Sequence, residues 1–175
     1  VVALVLGESY EAVRAGVAAV ELEIEELPPV LTMDEAIARE QFHTAPHAIR
    51  RGDTAAALET ATLVMTGKMS NGAQDHFYLE THATLAVPLE DGNIHLHCST
   101  QHPSEVQKLV SLVLDIGAHK VVCEFPRMGG AFGGKESQAS NYACMAALGA
   151  RTTGRPVKVW LNRDEDMTQT GKRHP

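Results

Sequence analysis

Read from its first residue, the chain changes its hydrophobic period several times, and each change marks an element. Residues 1–6 are an apolar, β-branched-rich run closed by Gly7, the pattern of a short buried strand. Ser9 then stands as the N-cap of a helix reaching Val20, with Ala12, Val13, Val17 and Val20 spaced for one face. Residues 21–27 alternate acid and aliphatic, predicting a half-exposed strand that Pro28-Pro29 stops. Thr32 caps a second short helix ending near Arg39. Residues 41–53 lack apolar periodicity and read as a surface linker, after which Asp53 caps a short Ala-rich helix ending near Thr60.

From residue 62 the period becomes two. Residues 63–69 predict one strand, and residues 84–88 and 94–99 a hairpin around Asp91-Gly92. Pro103 opens a helix in which Val106, Leu109, Val110, Val113 and Leu114 form an i, i+3, i+4, i+7, i+8 stripe. A strand over 120–125, a glycine-rich loop, a helix over 137–151 and a strand over 157–161 complete the pattern. The class is α+β. It divides into an α/β segment over 1–40, a linker with a short helix over 41–60, and a mixed α+β segment over 61–175.

At 175 residues and 44% hydrophobic the chain can build a core. A net charge of −7 argues against nucleic acid or an anionic membrane surface as partner, since like charges repel. The apolar runs fall far short of the roughly twenty residues a membrane span needs. Cys98, Cys123 and Cys144 are widely spaced, with no C-x-x-C, so neither an iron–sulfur site nor a zinc ribbon is read; free thiols in a reducing cytoplasm are the expectation. A start inside a strand pattern and an end without a tail pattern suggest a piece of a longer polypeptide.

The chemistry concentrates in two stretches. Arg127-Met-Gly-Gly-Ala-Phe-Gly-Gly-Lys-Glu136 puts four glycines in six positions between a strand and a helix. Such a backbone can take positive φ and expose successive N–H groups to an anionic or oxo-bearing ligand; the alternative is a sharp turn that lets the helix pack closely. Residues 129–135 satisfy G-x-x-x-x-G-K, but Glu136 stands where a phosphate loop needs Ser or Thr for magnesium, so the nucleotide reading is rejected. The second stretch, Gly72-Ala-Gln-Asp-His-Phe-Tyr-Leu-Glu80, offers the Gln74 amide, an amphipathic tyrosine and Glu80 as pairing partner, or else a satisfied polar corner. His95 and His97 alternate on a strand and share one face, but no third ligand lies near them in sequence, so no metal site is read there. Arg163-Asp-Glu-Asp166 reads as a solvated helix start.

Five stretches in order carry a resemblance: Gln74-Asp-His-Phe-Tyr-Leu-Glu-Thr81, Ser99-Thr-Gln101 with Pro103, residues 127–136, Asn162-Arg-Asp-Glu-Asp-Met167 and Thr170-Gly-Lys-Arg-His-Pro175. Together they resemble the molybdopterin-binding subunit of the xanthine dehydrogenase family over essentially the whole chain. The resemblance implies that residues 1–40 end a hammerhead-like α/β domain and that residues 61–175 begin the molybdopterin-binding domain. It implies further that Gln74 donates to an oxo ligand of molybdenum and that the Phe132-Gly133 backbone lies against the cofactor. Glu136 matches the carboxylate that binds the heterocycle and stabilises charge in the purine-oxidising members; a plain acid at a helix start is its alternative role.

Molybdenum–molybdopterin is thus the implied cofactor and a purine the implied substrate, hydroxylated with water as the oxygen source. The same resemblance implies FAD and two [2Fe-2S] clusters on other domains or subunits, NAD as acceptor, an oligomer in the cytoplasm, and no activity for this segment alone, because the family's base and a substrate-binding arginine lie beyond Pro175. The alternatives are an aldehyde oxidoreductase of the same superfamily and a non-catalytic binding module. Two departures stand out: Ala131 and Ala73 occupy positions where the family has glycine, which is tolerated only if φ is negative at both.

Overall fold

Alternating burial in the second half of the chain builds a small sheet with two helices on one face. The computed structural model describes residues 1–174. β1 (Ala83–Pro88) and β2 (Ile94–Cys98) form the predicted hairpin, with Thr84 opposite Cys98 and Pro88 opposite Ile94. Its turn requires left-handed backbone at Asp91 (φ 57°) and Gly92 (φ 73°), which Asp and Gly adopt at lower cost than other residues. α4 (Pro103–Leu114) carries the chain across to β3 (Val121–Glu124), which runs parallel to β2. After α5 (Ala139–Thr153), β4 (Val157–Trp160) pairs antiparallel with the free edge of β1. The resulting strand order is β3-β2-β1-β4.

One face of this sheet carries the core. Ala86, Ile94, Leu96, Cys98 and Val121 point to the helices, where α4 contributes Val106, Val110 and Leu114. The buried line of α4 is narrower than its sequence stripe, because Leu109 is only half-buried and Val113 is exposed. A helix lying over a sheet edge buries the residues one turn apart along its contact line and leaves their flanks to solvent. α5 faces the sheet through Ala139, Ala143, Ala146, Ala147 and Ala150, side chains small enough to bring the helix backbone close. The opposite sheet face holds Leu85, Val87, His95, His97, Val122, Glu124, Lys158 and Trp160, brought level by the strand registers. α6 (Arg163–Gln169) starts at Asn162, whose side chain and that of Glu165 cap each other's backbone N–H groups.

Residues 9–69 form a separate unit of three helices: α1 (Tyr10–Ala18), α2 (Met33–Ala38) and α3 (Thr54–Thr60). Each has the predicted cap, with Ser9, Thr32 and Asp53 accepting from the N–H three residues on at 3.2, 3.2 and 3.0 Å. None of the three helices contains a buried residue. The strands predicted over 1–6, 21–27 and 63–69 do not form. Their apolar alternation is real, but a strand is held by ladder hydrogen bonds to a neighbour, and no strand among the described residues pairs with them. Leu6 alone of residues 1–6 is seen against α5: a β-carbon on Gly149 would lie 3.0 Å from Leu6 Cδ2.

Leu96 lies at the centre of the helix-covered face and is fully buried. Leu96→Ala is expected to cost about 2–5 kcal/mol, read as a lower urea midpoint, whereas Leu112→Ala on the exposed side of α4 should leave the midpoint nearly unchanged.

Candidate functional site

The glycine-rich loop joins β3 to α5 and is held by side chains from two other stretches. Glu80 grips its start: Glu80 Oε2 accepts from Gly129 N–H at 2.9 Å, while Glu80 N–H donates to Gly129 O at 3.1 Å. Gln101 grips its end, with Oε1 accepting from Gly133 N–H (3.1 Å) and Lys135 N–H (3.2 Å) and its own N–H donating to Lys135 O (2.9 Å). Gly134 N–H donates to Ala131 O. The predicted open row of amides is therefore corrected: those at 129, 133, 134 and 135 are satisfied within the protein, because a loop of glycines must be fixed by hydrogen bonds in place of side-chain packing.

Lys135 is the anchor. It is fully buried, and Nζ donates to Ser99 Oγ (2.8 Å) and Glu80 Oε2 (3.2 Å) and lies 4.6 Å from the centre of the Tyr78 ring. Burial drags its ammonium below the ordinary lysine range, with Glu80 pulling the other way. Burial also opposes charge on Glu80, yet hydrogen bonds from Gly129, Ser99 and Lys135 outweigh it and hold its carboxyl below the usual range. An ammonium so placed cannot reach a phosphate outside the loop, a second and independent ground against a nucleotide-binding role.

Close packing explains two of the glycines. A β-carbon on Gly129 would lie 2.5 Å from Glu80 Cβ, and one on Gly134 would lie 2.6 Å from Tyr78 Cε1. The loop thus rests directly on the 74–80 stretch. Ala73 and Ala131 both lie outside the left-handed region, and Ala131 is buried, so the two added methyls are accommodated.

Beneath the loop is a buried polar cluster. Asp166 Oδ1 accepts from Tyr78 Oη at 2.6 Å, and Oδ2 accepts from His82 N–H at 2.7 Å, with His82 Nδ1 at 3.0 Å. Burial raises Asp166, but these bonds outweigh it and keep the carboxyl below the usual range. Burial lowers His82 below the free imidazole value, against the pull of Asp166. The expectation of a solvated helix start at 163–166 is corrected for Asp166, which is 1% exposed. Arg163 also reaches inward, donating from Nη2 to the carbonyls of Tyr78 and Leu79. Charge runs are solvated when water is their best partner; here main-chain groups and Tyr78 replace it.

The sequence-predicted residues stand as follows. Gln74 pairs through its backbone with Arg173, donating at 3.3 Å and accepting at 2.8 Å, and its side chain is exposed. Phe132 has φ 54° and Gly133 φ 96°; both are exposed at the loop's tip, and a β-carbon on Gly133 would face His76 Nε2 at 3.7 Å. Glu136 is exposed, directly after the buried Lys135. No hydrogen bond joins the Gln74 and Glu136 side chains among the described residues. The segment 171–173 nonetheless connects their surroundings: Gly171 N–H donates to Gln138 Oε1 at 2.6 Å, two residues beyond Glu136, while Arg173 pairs with Gln74. Two residues span at most about 7 Å. Lys135, Gln101 and Asp166 were not singled out by sequence reasoning; the G-G-K tripeptide and Ser99-Thr-Gln101 were visible, but nothing in them told inward side chains from outward ones.

These shifts share one sign. His82, Asp166 and Glu80 bind protons less readily in the folded chain than in the unfolded one, so acid favours unfolding. The contribution of His82 should be complete above about pH 6.5 and decline below it, while those of Asp166 and Glu80 should decline below about pH 4. Urea midpoints followed from pH 8 to 3 should fall in two stages, with the upper one missing in His82→Gln; a midpoint flat down to about pH 4 would contradict the cluster.

Comparison with known proteins gives the same direction. A model described as molybdopterin cofactor-binding domain matches residues 36–175. The xanthine dehydrogenase of Calliphora vicina is 49% identical over 158 residues, 89% of this chain and 12% of that protein. The nicotinate hydroxylase of Emericella nidulans is 40% identical over 179 residues, 99% of this chain and 13% of that protein. Among solved structures, the aldehyde oxidoreductase of Desulfovibrio gigas superposes with a TM-score of 0.75 at 24% identity, over 95% of this chain and 19% of that one, a likeness of fold. The chain thus spans about an eighth of the length of the curated relatives it matches. These matches show that the chain belongs to the xanthine dehydrogenase family and that its residues 36–175 belong to a molybdopterin cofactor-binding domain.

Proposed function

We propose that the chain supplies part of the cofactor and substrate site of a molybdenum hydroxylase acting on purines. The observation that carries this reading is the alternation at the loop's end: Lys135 is driven inward to Glu80 and Ser99, and the next carboxylate, Glu136, stands outward beside the exposed Phe132-Gly133 turn. A carboxylate in that position accepts an N–H from a flat nitrogen heterocycle and opposes nothing on an aldehyde. It thereby favours purines over the aldehyde reading.

The residues present fit a molybdopterin group. Gly133 is exposed with φ 96°, where a side chain would be strained, so beside the exposed Phe132 ring the tip presents backbone whose N–H Gln101 holds. Gln74 offers an exposed neutral amide, a donor suited to an oxo group, on a backbone fixed by Arg173. When bound, the molybdenum centre supplies the two-electron oxidation and the route by which water oxygen enters the ring. The chain's own part is orientation: Gln74, Phe132 and Gly133 hold the group, and Glu136 holds the heterocycle in register and balances charge as its carbon is attacked. The base, the substrate-binding arginine, the flavin and iron–sulfur partners, NAD and the oligomer belong to the remainder of the protein in this reading. Among the described residues no helix is long and apolar enough to cross a membrane.

A second reading, aldehyde oxidation, is favoured by the fold shared with the Desulfovibrio gigas enzyme. The two separate on Glu136→Gln in the full-length protein. For the purine reading, kcat/KM on hypoxanthine or xanthine should fall by about 10²–10³ with aldehyde turnover and molybdenum content retained. Equal losses on both substrates, or none on the purine, would reject it.

A further inference from the structure

The sheet face turned away from α4 and α5 holds three side chains of metal-ligand type that the sequence keeps apart. His95 and His97 are two residues apart on β2, and Glu124 is the last residue of β3, directly level with His97 in the parallel register. Their ligand atoms all lie within 4.8 Å of one another. Glu124 Oε1 is 2.9 Å from His97 Nδ1 and 3.4 Å from His95 Nε2, and the two imidazole rings are 4.6 Å apart between centres. His95 Nε2 is buried yet makes no hydrogen bond. The ground for setting this pair aside, the want of a third ligand, is removed by the strand register.

We propose that His95, His97 and Glu124 form a binding site for a divalent transition-metal ion of the zinc type. In a tetrahedral site with bonds of about 2.0–2.1 Å, neighbouring ligand atoms stand roughly 3.4 Å apart; the two spacings to Glu124 lie within about half an ångström of that, and the two imidazoles close the rest by side-chain rotation. Two imidazoles with one carboxylate select such ions over magnesium and calcium, which prefer all-oxygen shells. The ion also gives the unpartnered His95 nitrogen the bond it lacks. A fourth position opens on the groove of about 190 Å³ that runs from His97 and Glu124 past Phe125 and Arg127 to Glu80 and Ser99. On β4, Lys158 lines the far side of the same groove, two strands from His97, with its ammonium 5.7 Å from the Trp160 ring centre.

The location gives the ion a consequence. Glu124 ends β3 three residues before Arg127, where the glycine loop begins. A bound ion cross-links β2 to β3 at the root of that loop and stiffens its attachment from outside, as Glu80 does from within.

The test uses the full-length protein, treated with a mild chelator and titrated with Zn²⁺ and with Co²⁺, alongside His95→Ala, His97→Ala and Glu124→Gln. The wild type should bind a single further zinc equivalent that His97→Ala lacks, and Co²⁺ should give visible d–d absorption that both histidine variants lose. Removing an outer partner of a metal ligand typically costs 10–100-fold in affinity, so loss of a direct ligand should cost at least about 100-fold. Because Glu124→Gln keeps its shape on a half-exposed position, it decides the matter if a histidine variant fails to fold. Unchanged zinc affinity in Glu124→Gln, zinc stoichiometry equal in wild type and His97→Ala, or Mg²⁺ competing on equal terms would each overturn the proposal.

Discussion

The buried ammonium of Lys135 is the constraint around which the functional end of this fold is arranged. A cation without water is tolerated only with a carboxylate and further acceptors beside it. Glu80 and the Tyr78 ring from one stretch, and Ser99 from another, supply these. Satisfying Lys135 therefore fixes the end of β2, the 74–80 stretch and the glycine loop against one another. Gln101 completes the arrangement by taking two loop amides on a single oxygen.

What the loop shows to the outside follows from what it has turned inward. With Gly134 and Lys135 buried and Gly129 pinned to Glu80, the tip at Phe132-Gly133 and the carboxylate of Glu136 face out. The Tyr78–His82–Asp166 cluster supports the same stretch from below and ties it to α6. Breaking one partner of such a cluster leaves the others buried and unsatisfied, which is why its members act as a unit. The second sheet face, with His95, His97 and Glu124, adjoins the loop through the end of β3.

Local rules made much of this legible. Ser9, Thr32 and Asp53 cap the helices they were expected to cap, and Asp91-Gly92 turns the hairpin, because caps and turns are decided by neighbours in sequence. The strands over 1–6, 21–27 and 63–69 were misjudged, since alternation states only that a strand could form and a ladder partner decides whether it does. Direction was equally hidden: nothing in Gly-Gly-Lys-Glu says that Lys135 turns inward and Glu136 outward, and Asp166 looked like any acid in a charged run. Glu124 was out of reach for the same reason, because only the parallel register of β2 and β3 sets it beside His97. The proposed site residues Gln74, Phe132, Gly133 and Glu136 come from motif resemblance, not from periodicity.

The central claim is that the Glu80–Lys135 pair builds the seat on which a molybdopterin group rests. Molybdenum content per protomer of the full-length protein carrying Glu80→Gln, measured on the folded fraction, tests it most directly. The amide keeps the shape of the carboxylate but leaves Lys135 without its counter-charge, and breaking a buried pair in this way costs about 3–5 kcal/mol; a value toward the low end is expected because the Glu80 side chain is 40% exposed. Molybdenum should fall several-fold below the wild-type content. Full molybdenum in well-folded Glu80→Gln protein would contradict the account.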